Sequence, residues 1–309
     1  MTGKHAEPQG GRGIKRSLNR RILRNTTLNI LILVAVCCAI MAFSMHSLAN
    51  SILLDSLQPM ARQSAKTVEA NIHMLADRMM TIAGDPRMDA AGSRGAVLEE
   101  AAEIYELYTI ALYGLDGRLM QGLDAAPESL DSGFLSLLEQ TDNLTIDSST
   151  IYQGRLGITM GMPVKESGET AFYVMGVYKY DTLNDVISSI NLGKSGMAYM
   201  VNREGAVTGH PDQSLALGGS TLIQLSGGNG DAVERVTTGE TGAVEFPIGG
   251  EQMLVAFSPI RGTQWSLVIQ IPKADYNHFI NGAMFVAILS TVAVLVVSIL
   301  LVLRLARSI

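Results

Sequence analysis

Charge is in short supply in this sequence. Asp, Glu, Lys and Arg make up 17% of it, where soluble domains usually carry about 25%. Hydrophobic residues reach 47% and mean hydropathy is +0.24. That deficit argues against a disordered or coiled-coil chain and points to segments that live in lipid. Cysteine is confined to the adjacent pair Cys37 and Cys38, inside an apolar run. Neighbouring residues rarely meet disulfide geometry, and no zinc-type spacing is present, so both read as small buried hydrophobes. The five histidines, His5, His46, His73, His210 and His278, are scattered without metal-ligand spacing. There is no P-loop, no HExxH and no GxSxG. The sequence therefore offers no catalytic residue, metal site or cofactor, and an enzyme is not expected.

Basic residues are scarcest in the middle of the chain. Lys4, Arg12, Lys15, Arg16, Arg20, Arg21 and Arg24 precede Asn25 against Glu7 alone, while Arg304 and Arg307 follow Phe279 with no acid. The segment between carries 14 basic and 28 acidic residues. A net of −14 excludes nucleic acid as a partner, because phosphate binding needs basic surface. Two runs, Thr27 to Leu48 and Phe279 to Leu303, hold no ionised side chain. Each meets the roughly 20 residues that a bilayer core of about 30 Å requires. The first also exceeds the apolar stretch of about 7–15 residues in a cleaved signal peptide. With the Lys/Arg-rich flanks held inside, residues 1–26 and 304–309 are cytoplasmic. Residues 27–48 and 279–303 then span the cell membrane, and about 49–278 are extracytoplasmic.

From Leu53 to Ile82 the apolar residues Leu53, Leu57, Met60, Ala65, Val68, Ile72, Leu75, Met79 and Ile82 recur at helical steps. They predict a long helix over 49–84 that Pro59 kinks but does not end. Its stripe either packs on the domain alone or also forms the seam of a homodimer. Beyond Gly84 the pattern turns β-like, and does so twice. Residues 108–113 and 118–122 flank a turn ending in Gly117; residues 197–201 and 206–210 flank one ending in Gly205. The runs 157–164 and 253–260 each end in a proline followed by one apolar residue, and each precedes a further strand, 171–177 and 265–271. Helices are predicted over about Pro127–Gln140 and over Asp181–Ile190, the latter capped by Asp181. His210 reads as a turn histidine and Trp265, the sole tryptophan, as a core anchor. Tyr276 and His278 read as anchors at the membrane interface. The fold class is α+β: two antiparallel-sheet modules in tandem, 85–190 and 191–278, behind a long N-terminal helix and flanked by two transmembrane helices.

The residues Leu192-Gly-Lys-Ser-Gly196, Ala198-Tyr199-Met-Val201, Glu204-Gly205 and His210-Pro211-Asp212 resemble the signature of a double Cache domain. That domain is the extracytoplasmic sensor of many bacterial methyl-accepting chemotaxis proteins. Gly262 to Pro272 resembles its last strand, and the likeness extends over about residues 30–303. The resemblance implies that both modules are PAS-like and that the membrane-distal one binds a small molecule, often an amino acid or other carboxylate. Asp181 falls where amino-acid-binding relatives place their ammonium-binding aspartate. Arg155 lacks the tryptophan-tyrosine pair of those relatives. The expected ligand contacts are Tyr152, Arg155, Tyr173, Tyr178 and Asp181: a cation for a carboxylate, an acid for an ammonium group, and aromatic walls. Residues 303–309 resemble the entry to a HAMP linker, as in the front part of a longer receptor. The implied function is the sensor region of a chemoreceptor that signals through its second span, with the bilayer and a second copy of the chain as partners. The sensor half of a transmembrane histidine kinase or diguanylate cyclase, and a tethered ligand-binding protein without output, are the alternatives.

Overall fold

The computed structural model describes residues 11–190, 195–228 and 230–308. The first ten residues, with Lys4, and Leu192, Gly193 and Lys194 of the expected signature lie outside the described residues.

The chain divides into two units, residues 1–52 with 276–309, and residues 53–275. In the first, helix α1 (Gly11–Ala83) begins and helix α8 (Lys273–Ser308) ends. Both are long and apolar enough to cross a membrane. Their large apolar side chains stand bare, Phe43 at 78% and Phe285 at 68% exposure. Cys37 is exposed and Cys38 half-buried, on the part of α1 long and apolar enough to cross a membrane. A helix apolar on every side has no polar face to turn outward, so its cysteines share the bare surface.

In the second unit the remainder of α1 buries Leu57, Ala61, Ala65, Val68, Ile72, Leu75, Met79 and Ile82. Their steps of three and four residues make one stripe. Met60, expected in that stripe, stands 42% exposed, and Pro59 lies inside the helix without ending it. A 3₁₀ turn (Pro86–Met88) leads to α2 (Arg94–Ile104). There follow β1 (Leu107–Tyr113), β2 (Leu119–Gly122), α3 (Ser132–Thr141), β3 (Thr145–Ile146), β4 (Ile151–Tyr152), β5 (Arg155–Glu166) and β6 (Glu169–Lys179). They form an antiparallel sheet in the order β2-β1-β6-β5-β3, with β4 paired to β5. Next come α4 (Asp181–Ser189), β7 (Met197–Asn202), β8 (Val207–Gly209), α5 (Gln213–Leu217), α6 (Leu222–Leu225) and α7 (Gly230–Thr237). The chain then adds β9 (Gly242–Ile248), β10 (Glu251–Pro259) and β11 (Trp265–Pro272), in a second sheet ordered β8-β7-β11-β10-β9. Setting β4 aside, the two sheets share one order: second, first, last, penultimate, third. Gly117 and Gly205, with φ of 74° and 77°, occupy the same turn in each copy. A β-carbon would be strained in that left-handed conformation.

One predicted helix start and one predicted cap are corrected. Helix α3 begins at Ser132 rather than Pro127, because Asp131 Oδ1 accepts from the amides of Gly133 and Phe134 and fixes the N-cap there. In α4 the N-cap is Tyr180 and no side chain caps the helix. Asp181 is the first helical residue, where its charge meets the helix dipole without closing the end.

The two modules interlock. Trp265, 1% exposed, donates its indole N–H to the Ser148 carbonyl at 2.8 Å. Thr150 Oγ1 donates to the Thr208 carbonyl at 2.6 Å. Trp265 is thus a core anchor that also reaches into the first module.

Candidate functional site

Side chains alternate across a strand, and along β6 this separates two environments. Tyr178 faces the long helix: its hydroxyl donates to the Leu75 carbonyl at 3.0 Å. Gly176 is on the same side, where an added β-carbon would lie 3.2 Å from the Met79 sulfur. Tyr173, Met175 and Val177 point the other way and join Ala111, Tyr113, Leu130, Phe134 and Leu138 in one buried cluster. Tyr108 and Tyr152 lie at its margin.

Of the five residues expected to touch ligand, the structure brings Tyr152 and Arg155 together as cross-strand partners in β4 and β5. The Arg155 guanidinium lies over the Tyr108 ring, 5.9 Å from its centroid. Tyr152 donates its hydroxyl to the Ala125 carbonyl at 2.6 Å, and Gln153 Nε2 donates to the same oxygen at 2.9 Å. These bonds hold the aromatic ring against the loop between β2 and α3. Tyr173 shares this side of the sheet but sits deeper, 5% exposed. Tyr178 does not share it, and Asp181 is exposed at the start of α4.

Three polar groups that the sequence reading missed complete the arrangement. Thr109, Val177 and Thr159 lie in one cross-strand row over β1, β6 and β5. Thr109 is fully buried, and its hydroxyl has no partner among the described residues. Asp147, just after β3, donates its amide to the Thr159 carbonyl at 3.0 Å. Its Oδ1 accepts from the Ser149 amide at 3.1 Å. Burial holds the Asp147 carboxyl above its ordinary range; the Ser149 amide offsets that in part, and nearby Asp131 adds to it. Gly157 gave a usable signal, as glycine within a strand marks a close approach. A β-carbon there would come within 2.8 Å of Val177 Cγ1 and 3.5 Å of the Tyr108 ring. Thr109 was also legible as the lone polar residue in the apolar run of β1.

Arg155, Tyr108 and Tyr152 thus meet at the margin of the buried cluster, and the same sheet carries the unsatisfied Thr109 hydroxyl and, just after β3, the half-buried Asp147 carboxyl. Those groups suit recognition of a small zwitterion. No group of three His, Cys, Asp or Glu side chains is placed to hold a metal ion among the described residues. In the second module His210 Nδ1 accepts from the Asp212 amide at 2.9 Å, and its ring lies 5.5 Å from that of Tyr199. His210 is the turn histidine that its sequence context suggests.

The Cache domain family profile matches residues 45–277. The methyl-accepting chemotaxis protein McpG of Pseudomonas putida is 26% identical over 266 residues, covering 79% of this chain and 40% of that protein. PscA, a methyl-accepting chemotaxis protein of Pseudomonas syringae, is 27% identical over 109 residues, 35% of this chain and 16% of its own length. The chain therefore spans less than half of either relative. Among solved structures, the ligand-binding domain of the Pseudomonas fluorescens chemoreceptor CtaA, in complex with L-isoleucine, superposes with a TM-score of 0.62. It is 18% identical, and the match covers 76% of this chain and 99% of that one. The ligand-binding domain of the Pseudomonas aeruginosa amino acid chemoreceptor PctB, with L-Arg, gives a TM-score of 0.58 at 20% identity, over 72% and 97%.

Proposed function

Because this chain belongs to the Cache domain family, we propose that it is the sensing region of a transmembrane chemoreceptor and that its ligand is an amino acid bound in the first module. It binds rather than catalyses. In this reading Arg155 takes the carboxylate with its forked donors, Tyr108 and Tyr152 wall the side chain, and Thr109 supplies a hydrogen bond. Asp147 meets the ammonium group, and Asp181 extends the acidic rim. A cation arriving beside Asp147 would relieve the cost of a half-buried carboxylate. Tyr173 forms the floor; Tyr178, turned to α1, holds the sheet on the helix.

The observation that carries this proposal is the repetition of one strand order behind one long helix, together with a family match over most of the chain. Residues 49–278 are proposed to be extracytoplasmic, held by two spans with both termini in the cytoplasm and paired with a second copy along α1. Ligand shifts an equilibrium between two packings only if it binds one of them more tightly. The loop carrying Asp147 is one residue from Ser148, and Ser148 is bonded to Trp265 at the start of β11. At its other end β11 stops at Pro272 and α8 begins at Lys273. A shift of about 1–2 Å, the usual size of helix movements in switching proteins, has a continuous covalent route along that strand.

The test is calorimetric titration of the chain in lipid nanodiscs with each of the twenty common L-amino acids, followed by Arg155→Ala and Asp147→Ala. Saturable binding of at least one amino acid, weakened by both substitutions, is expected. No binding by any of the twenty overturns the ligand class, and binding indifferent to both substitutions overturns the site.

A further inference from the structure

A cavity of about 390 Å³, sharing no lining residue with the site above, lies between α1 and the second sheet. It is lined by Arg62, Lys66 and Glu69 of α1, by Thr241 and Ser258, and by Arg261 in the turn between β10 and β11. Arg62, Lys66 and Glu69 follow at steps of four and three, so they share one face of the helix. Three cations therefore face one acid. Among the described residues, no ion pair involves Arg62, Lys66, Glu69 or Arg261. Cations gathered in excess of counter-charge repel one another, and here they come from two separate elements. The hydroxyls of Thr241 and Ser258 are 3.3 Å apart, and Ser258 is only 4% exposed. Gln58 Nε2 donates to the Thr241 carbonyl at 3.4 Å and steadies that edge.

We propose that this cavity is a second ligand site, for a small dicarboxylate bearing a hydroxyl. Its volume lies within the range of about 300–1,000 Å³ usual for small-molecule sites. Guanidinium groups from α1 and from the β10–β11 turn favour an anion with two separate charged ends, since each fork grips one carboxylate. Lys66 neutralises residual charge. Of the Ser258 and Thr241 hydroxyls, one donates to the other and the second is left to donate to a carboxylate oxygen. Glu69 accepts only, so it takes the ligand's hydroxyl proton as a hydrogen bond. Such a ligand would clamp the long helix to the second sheet. It would thereby bias the packing of the module that does not hold the amino acid.

The test titrates the full chain, in nanodiscs of phosphatidylcholine alone, with L-malate and L-tartrate at low and moderate salt. Saturable binding is expected, weaker at higher salt. It should fall by about tenfold or more in Arg62→Ala/Arg261→Ala, a loss of about 1.4 kcal/mol, and stay unchanged in Arg155→Ala. If the double alanine variant does not fold, Arg62→Lys/Arg261→Lys keeps the charge and loses the forks, and a weakening of threefold or more is expected there. No saturable binding of either acid overturns the proposal. So does binding that survives both double variants, or that is lost in Arg155→Ala. Binding seen only after phosphatidylglycerol is added to the nanodiscs, and not with soluble acids, overturns it as well, because the occupant would then be a lipid headgroup.

Discussion

The indole N–H of Trp265 and the carbonyl of Ser148 meet at 2.8 Å, joining the last strand of the second module to a loop of the first. As the sole tryptophan, Trp265 reports this junction in its own fluorescence. Trp265→Phe keeps most of the packing and leaves the Ser148 oxygen without its donor, at a cost of about 1 kcal/mol. That corresponds to a fall of about 2–4 °C in Tm, measurable by circular dichroism. Trp265→Ala is expected to cost about 3–5 kcal/mol.

Tyr180 and Gly209 make a tighter junction. The Tyr180 hydroxyl occupies the place that a β-carbon on Gly209 would take, and Met200 Cε would lie 2.9 Å from it. Gly209→Ala is therefore expected to destabilise by about 1–3 kcal/mol through overpacking. The Tyr180 hydroxyl is buried without a partner among the described residues, so Tyr180→Phe alone is expected to be neutral or stabilising. Combined, Tyr180→Phe recovers part of the loss. Thermal unfolding of the four proteins reads the coupling directly.

Amino acid affinity is expected to drop by about tenfold to a hundredfold in Arg155→Ala and Asp147→Ala, as befits hydrogen bonds to charged groups. Asp181→Ala costs less, since that carboxylate stands in water. Tyr178→Phe lowers stability by about 1 kcal/mol by removing its bond to Leu75 while leaving affinity intact. Titration calorimetry separates the four.

Binding should also weaken on acidification, beginning above the pH of an ordinary carboxylate, because the Asp147 carboxyl is raised and pairs with a cation only when ionised. Asp147→Asn flattens that dependence. For the unliganded fold the sign reverses. A raised carboxyl keeps its full contribution below its unfolded value of 3.8 and loses it as pH climbs through the folded one.

His210 predicts a second pH effect. Burial lowers its affinity for protons, with the neighbouring Asp212 opposing. The unfolded chain then takes up the proton first, so stability is whole above about pH 6.5 and erodes as pH falls below it. His210→Gln is expected to remove the slope of Tm between pH 7.5 and 5.5.

The doubled sheet was legible because its punctuation is local. Gly117 and Gly205 mark the same turn, and the apolar runs of β1, β7 and β11 announce themselves. The helix α2 escaped notice because only Val97, Leu98 and Ala101 of its eleven residues are buried, too few to set a period. Strand β9 was hidden by Pro247 and an irregular alternation. For the candidate site, Tyr178 lies an odd number of positions from Tyr173, so strand parity already placed the two on opposite sides. Asp147 could not have been found this way. Its burial depends on a pairing with Thr159 that only the folded loop creates, whereas Asp181 stood out through the family resemblance, which places an ammonium-binding aspartate there.

The bonds Trp265–Ser148 and Thr150–Thr208 bear on how this chain could be recombined. Severing the chain near residue 190 to graft the first module elsewhere would leave a buried indole donor behind and strip two carbonyl or hydroxyl partners from the loop that carries Asp147. Each orphaned group costs about 1–3 kcal/mol, against the marginal stability of any domain. The pair of modules is therefore the smallest transplantable cassette, and a chimaera designer is better served by cutting at Leu53 and Asp275.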